Sequence, residues 1–124
     1  TMLCANPDIV VDMGDKRLYC AGAIAGAYED MGGSALYFGK PHPPVYDLAR
    51  ARLGLDDPQI LCIGDGIGTD VAGAIAEGLD SLFITGGLAA DQFGPDVANP
   101  DQALLDDWVA ERQIYPTFAM GYLR

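Results

Sequence analysis

Positive charge is what this sequence has least of. Seven Lys and Arg residues stand against eighteen Asp and Glu, a formal net charge of −11. Binding to a nucleic-acid backbone relies on a basic stripe that neutralises phosphates. No such stripe exists here, so a nucleic-acid partner is excluded. Any anionic ligand has to be met by local cations against this background. Long apolar runs are also missing. None approaches the ~18 residues that span a bilayer, and the first residues show no basic-then-apolar leader pattern. Neither a membrane partner nor a secretory signal is therefore expected. The three cysteines, Cys4, Cys20 and Cys62, are odd in number, lie among apolar residues and form no C-x-x-C pair. Reduced thiols and a cytoplasmic location are the expectation.

Half of the 124 residues are hydrophobic, which argues against disorder and suits a small globular fold. Apolar runs at 8–12 (DIVVD), 35–39 (ALYFG), 59–65 (QILCIGD) and 81–87 (SLFITGG) read as strands, with a last one in 117–123. The near-continuous run 59–65 is expected to be buried on both faces. Helical spacing occupies 22–32, 43–55, 69–78 and 101–112. In 43–55 it is carried by Val45, Leu48, Ala49, Arg52 and Leu53, behind prolines that suit a helix start. Gly32-Gly33, Gly54 and Gly78 mark helix ends. Thr69 is the expected N-cap of its helix, with Asp70 in the first turn. Asn99 or Asp101 caps the helix 101–112, where Trp108 reads as a core anchor. Strands alternating with helices predict βαβ units, an α/β fold with a parallel sheet. A glycine- and alanine-rich front piece, 1–36, differs in texture from 37–124, and a boundary is expected between them.

The stretch LCIGDGIGTDVAGA (61–74) places two carboxylates in a glycine-rich turn at the carboxyl end of a strand, the edge at which open α/β sheets bind ligands. A dinucleotide loop is one reading, but the G-x-G-x-x-G spacing is loose. Asp65 would also aim a bare negative charge at a pyrophosphate. A calcium loop is excluded, because Ile67 holds the third position and Ala76 the twelfth. A magnesium site is the third reading. Mg²⁺ takes few carboxylates, keeps waters and bridges to phosphate oxygens, so Asp65 as a ligand removes the charge conflict. Against all three stands an ordinary strand-to-helix turn in which Asp70 stabilises the helix start.

A second constellation is YFGKPHPPVY (37–46). Lys40 stands at the end of an apolar run, with Pro41 fixing the chain beyond it. Its point charge could neutralise a phosphate; a solvated surface lysine is the plain alternative. His42 reads as a surface turn residue.

Together, GKPHPPVYDLARARLGL and ILCIGDGIGTDVAGAIAEGLDSLFITGG resemble the back half of a haloacid dehalogenase (HAD) superfamily hydrolase. The likeness is to the group with an α/β cap inserted in the core (subfamily IIA), which holds p-nitrophenyl-phosphatase-like and nucleotide- or sugar-phosphate phosphatases. CANPD (4–8) resembles the Asn-Pro-Asp segment of that group's cap. The resemblance implies a partial Rossmann-like core, residues 37–124, preceded by the end of a cap domain, residues 1–36. It implies Mg²⁺ as cofactor and a small phosphorylated substrate. Lys40 would hold the substrate phosphate, Asp65 would bind the metal, and Asp70 would complete the metal shell or orient Lys40. Asn6 and Asp8 would face the substrate, although an Asn-Pro-Asp turn explains them structurally as well. The family's nucleophile, an Asp in D-x-D-x-T/V, and its second motif, a Ser or Thr, find no match in this sequence.

The expectation is therefore a carboxyl-terminal portion of a longer phosphatase, inactive alone. A half-sheet exposes apolar edges, so the chain is expected to associate with itself or with the missing half. A non-catalytic phosphate- or metal-binding module stays open as an alternative, as does a dinucleotide-binding half of an oxidoreductase.

Overall fold

The computed structural model describes residues 1–54 and 56–124, and the chain divides between Leu53 and Gly54. In the first unit, β1 (Met2–Cys4) leads into an antiparallel hairpin of β2 (Val10–Met13) and β3 (Lys16–Tyr19). Helix α1 (Ala21–Asp30) stops where Gly32 takes a φ of +86°, and the Gly33 N–H reaches back to the Tyr28 carbonyl at 2.9 Å. That is the Schellman ending expected of a glycine just past a helix. Strand β4 (Ala35–Tyr37) then lies parallel to β1, with Met2 opposite Ala35 and Cys4 opposite Tyr37. Helix α2 (Pro43–Leu53) completes the unit. Leu55, the last residue of the expected helix 43–55, lies outside the described residues.

The second unit holds β5 (Leu61–Gly64), a π-helical turn (Ile67–Val71) running into the short helix α3 (Ala72–Ala76), then β6 (Asp80–Ile84), α4 (Gln102–Arg112) and β7 (Phe118–Met120). The three strands form one parallel sheet in the order β5-β6-β7, so the expected α/β class with a parallel sheet is what forms. Gly73 and Ala74 of α3 are buried; such small side chains permit close approach of a helix to its neighbours. Asp101 is the cap of α4: its Oδ1 accepts from the N–H groups of Ala103 (2.9 Å) and Leu104 (3.1 Å). Asn99 serves the preceding loop instead. Its Nδ2 donates to Asp96 at 2.9 Å, and this bond is the main reason the Asp96 carboxyl sits below its usual range.

The core of this unit gathers Val71, Phe83, Phe93, Leu105 and Val109, with Ile67, Ala89, Trp108 and Ile114 packed against it. Phe83 stacks on Trp108 at 5.8 Å between centroids, and Phe93 meets both rings edge-on. The Arg112 guanidinium lies 3.9 Å above the Trp108 ring centroid, a cation–π contact. Trp108 is thus a core anchor, as its place on the helix predicts.

Two expectations need correction. The run 59–65 is not buried on both faces: Leu61 is 43% and Ile63 47% exposed. β5 is an edge strand, and alternate side chains along it face open surface among the described residues. In α2 the buried residue is Tyr46, while Leu48 and Leu53 are exposed, so the apolar spacing marks a face without cover among the described residues. Strand β4 pairs with β1, where Met2–Cys4 supplies an apolar parallel partner in register. No helix among the described residues is long and apolar enough to cross a membrane.

Candidate functional site

In the second unit, β5 ends at Gly64 and the next residue is Asp65. Its Oδ2 accepts the backbone N–H of Leu88 at 3.1 Å, just beyond the carboxyl end of the neighbouring β6. A Cβ on Gly87 would run into the Asp65 carboxylate. Gly87, three residues after β6, therefore leaves the space in which this side chain sits. Asp65 is only partly buried, so one oxygen is braced while the carboxylate keeps a path to solvent.

Asp70 does something different. It is buried, at 8% exposure, and its Oδ2 accepts the Gly66 N–H at 3.0 Å. A Cβ on Gly64 would collide with its carboxyl group. The Gly66 carbonyl in turn accepts from the N–H groups of Thr69, Asp70 and Val71. Asp70 thereby ties the loop onto its own helical turn. This corrects the expected cap: Gly66 occupies the N-terminal position, and Thr69 lies inside a π-helical turn with its hydroxyl packed toward Gly66. The extra residue of a π-turn is a recurrent feature of functional loops.

In the first unit, Lys40 follows β4 on a turn closed by the His42 N–H donating to the Gly39 carbonyl at 2.9 Å, with a cis Lys40–Pro41 peptide. Lys40 is exposed. The backbone at Gly39 lies so close to the Ala5–Pro7 segment that a Cβ would strike Pro7 and the Ala5 carbonyl. The Asn-Pro-Asp turn and the lysine turn thus touch, at the carboxyl ends of two parallel strands. Asn6 Oδ1 accepts the Asp8 N–H at 3.1 Å, so that oxygen serves the local turn. The structure brings Asp65 and Asp70 together in one loop of the second unit. In the first it sets the Ala5–Pro7 segment, which holds Asn6, beside Gly39, the residue before Lys40.

Residues absent from the sequence reading join these groups. Leu88 braces Asp65 and Gly87 leaves it room; the only sequence signal is the Gly-Gly after a strand. Tyr37 donates its hydroxyl to Glu29 Oε2 at 2.7 Å and stacks on His42, with ring centroids 4.9 Å apart and planes at 16°. The bond to Glu29 and that carboxylate's charge push the Tyr37 phenol up to about 12. A raised phenol stabilises the fold below the ordinary tyrosine range near 10, and this contribution is lost as pH rises through about 12. Ultraviolet titration should show one of the six tyrosines ionising about two units late. Glu29→Gln should return it toward 10; an unchanged titration in that variant would show the bond is not its cause.

The acidic donors are suited to a hard cation that is shared with other groups. Among the described residues no cluster of three or more His, Cys, Asp or Glu is placed to hold a metal ion. Mg²⁺ does not need one, since one or two carboxylates plus waters and phosphate oxygens satisfy it. Asp65, braced and partly open, fits a ligand; Asp70, buried and bonded to the loop, fits the support behind it.

A family model described as HAD-hydrolase-like matches residues 37–110. Dihydroxyacetone phosphatase of Corynebacterium glutamicum is 28% identical over 90 residues, covering 72% of this chain and 33% of that protein. Acid sugar phosphatase of Staphylococcus aureus is 30% identical over 90 residues, covering 72% and 35%. Among solved structures, a haloacid dehalogenase-like hydrolase from Brucella suis is 38% identical over 98% of this chain and 44% of its own, with a TM-score of 0.70. The p-nitrophenyl phosphatase from Archaeoglobus fulgidus is 26% identical over 95% and 42%, also with a TM-score of 0.70. The chain spans about a third of the length of the curated relatives it matches.

Proposed function

This chain belongs to the HAD-like hydrolase family, and from that membership we propose that it supplies the carboxyl-terminal part of a magnesium-dependent phosphatase. The substrate is a small phosphomonoester of the sugar- or triose-phosphate kind. The observation that carries the reading is Asp65: a carboxylate at the tip of one parallel strand, braced from the tip of the next by the Leu88 N–H.

In this reading Asp65 holds Mg²⁺, and Asp70, the second acid of the metal shell, keeps the loop in shape through Gly66. Bound Mg²⁺ offsets charge on the transferring phosphoryl group. Lys40 contributes an ammonium to the same task, a local cation in a chain that has few. The attacking carboxylate, which would form an aspartyl-phosphate, comes from outside these residues. Asn6 and Asp8 face the substrate from the turn beside Lys40. The exposed apolar face of β5 is covered by the remainder of the enzyme or by a second copy, and the enzyme works in the cytoplasm.

The test is release of inorganic phosphate from p-nitrophenyl phosphate and dihydroxyacetone phosphate by the full-length polypeptide. Turnover should require Mg²⁺ and stop with a chelator. Magnesium binding by the folded polypeptide without turnover would leave a non-catalytic binding module. Binding of NAD in its place would point to the dinucleotide alternative.

A further inference from the structure

Resting on the phosphatase reading, we propose that Tyr37 and His42 are a positioning pair that aims Lys40. Lys40 lies between them in sequence, on the turn closed by the His42 N–H and the Gly39 carbonyl. The two rings lie nearly parallel, 4.9 Å apart, so the limbs entering and leaving the turn are fastened to each other. Tyr37 is itself held twice over. Its backbone pairs with Cys4 in the β1–β4 ladder, and its hydroxyl bonds Glu29 on α1. The Pro7 ring lies against Gly39. The anchoring thus runs from α1 through Tyr37 to His42, and the residue it brackets is the lysine.

A lysine is a flexible stem carrying a point charge, so the precision of its ammonium depends on how well its Cα is fixed. Misplacement of a charged group by about an ångström can cost on the order of 10²-fold in rate. The pair acts through ring stacking, not through proton transfer by the imidazole. That distinction separates it from a surface histidine and from a catalytic one.

The experiment uses the full-length polypeptide, p-nitrophenyl phosphate and four variants. Lys40→Ala sets the reference loss. His42→Ala should lower kcat by about tenfold, with the thermal midpoint little changed. His42→Phe, which keeps a ring to stack on Tyr37 and removes both ring nitrogens, should recover to within about twofold of the native enzyme. His42→Leu keeps apolar volume without a ring face and should behave like Ala; it decides the matter if the Ala variant does not fold. Native turnover in His42→Leu, or a Phe variant as impaired as Leu, would overturn the pair. Should Lys40→Ala itself turn over normally, the role given to Lys40 falls, and the pair with it. A damaged Lys40→Ala beside an intact His42→Leu removes the pair alone.

Discussion

Replacing Asp65 by Asn in the full-length polypeptide is expected to lower magnesium-dependent kcat by at least about 10²-fold while leaving the fold intact. The two halves of that statement come from the same geometry. An asparagine has nearly the volume of aspartate, so it fits the space left by Gly87. Its amide oxygen can still accept the Leu88 N–H that Asp65 accepts at 3.1 Å. What it lacks is negative charge, which a hard dication prefers over a neutral oxygen. A metal ion at a transferring phosphoryl group lowers the barrier by several kcal/mol, equivalent to roughly 10²–10⁴ in rate. Calorimetric titration with Mg²⁺ and steady-state kinetics check the two parts separately. Weakened Mg²⁺ binding with an unchanged melting temperature is the expected pair of results. Native turnover in this variant would remove Asp65 from the metal site and the main support for the proposed function. Asp65→Ala is a poorer probe, because it deletes the brace to Leu88 along with the charge.

The place of Asp65 is legible in the sequence; its support is not. An apolar run ending in Gly-Asp-Gly before a small-residue helix announces a strand, a turn and a helix start, and all three form. The brace comes from a residue twenty-three positions later. It depends on the register that sets Gly64 opposite Phe83, and no local pattern encodes register between two parallel strands. The pairing of β1 with β4 is hidden for the same reason: parallel partners lie far apart in sequence. The hairpin at 10–19 is a different case. Gly14-Asp15 forms its two-residue loop, with Gly14 at a φ of +60°, and glycine followed by aspartate between two strand-forming runs is a known hairpin signal. It is obscured because Val10 and Val11 are adjacent and both exposed, so the alternation that marks a half-buried strand is missing. Thr69 misleads through its chemistry. A threonine before an apolar helix is a good cap, but here the buried Asp70 takes the loop N–H one position on, and the helical turn begins earlier than its sequence implies.

The largest effect on stability should come from Phe83→Ala. Phe83 is fully buried at the centre of the three-stranded sheet, opposite Gly64 of β5 and Ala119 of β7. Neither of those neighbours has the bulk to fill the space its ring would leave. Its ring is also the common partner of Trp108 and Phe93, so truncation removes two aromatic contacts as well as apolar area. Phe→Ala in a core costs about 3–5 kcal/mol, a large share of the 5–15 kcal/mol typical of a whole domain. Urea unfolding followed by the fluorescence of Trp108, the single tryptophan, measures it directly. The midpoint should fall steeply, and Phe83→Leu, which retains most of the volume, should lose much less. Because Phe83 sits opposite the last residue of the strand that presents Asp65, Mg²⁺ affinity should weaken in Phe83→Ala under conditions where the protein is still folded. A variant that binds Mg²⁺ normally after losing several kcal/mol would show that the Asp65 turn is held by its own hydrogen bonds alone, independently of the core beneath it.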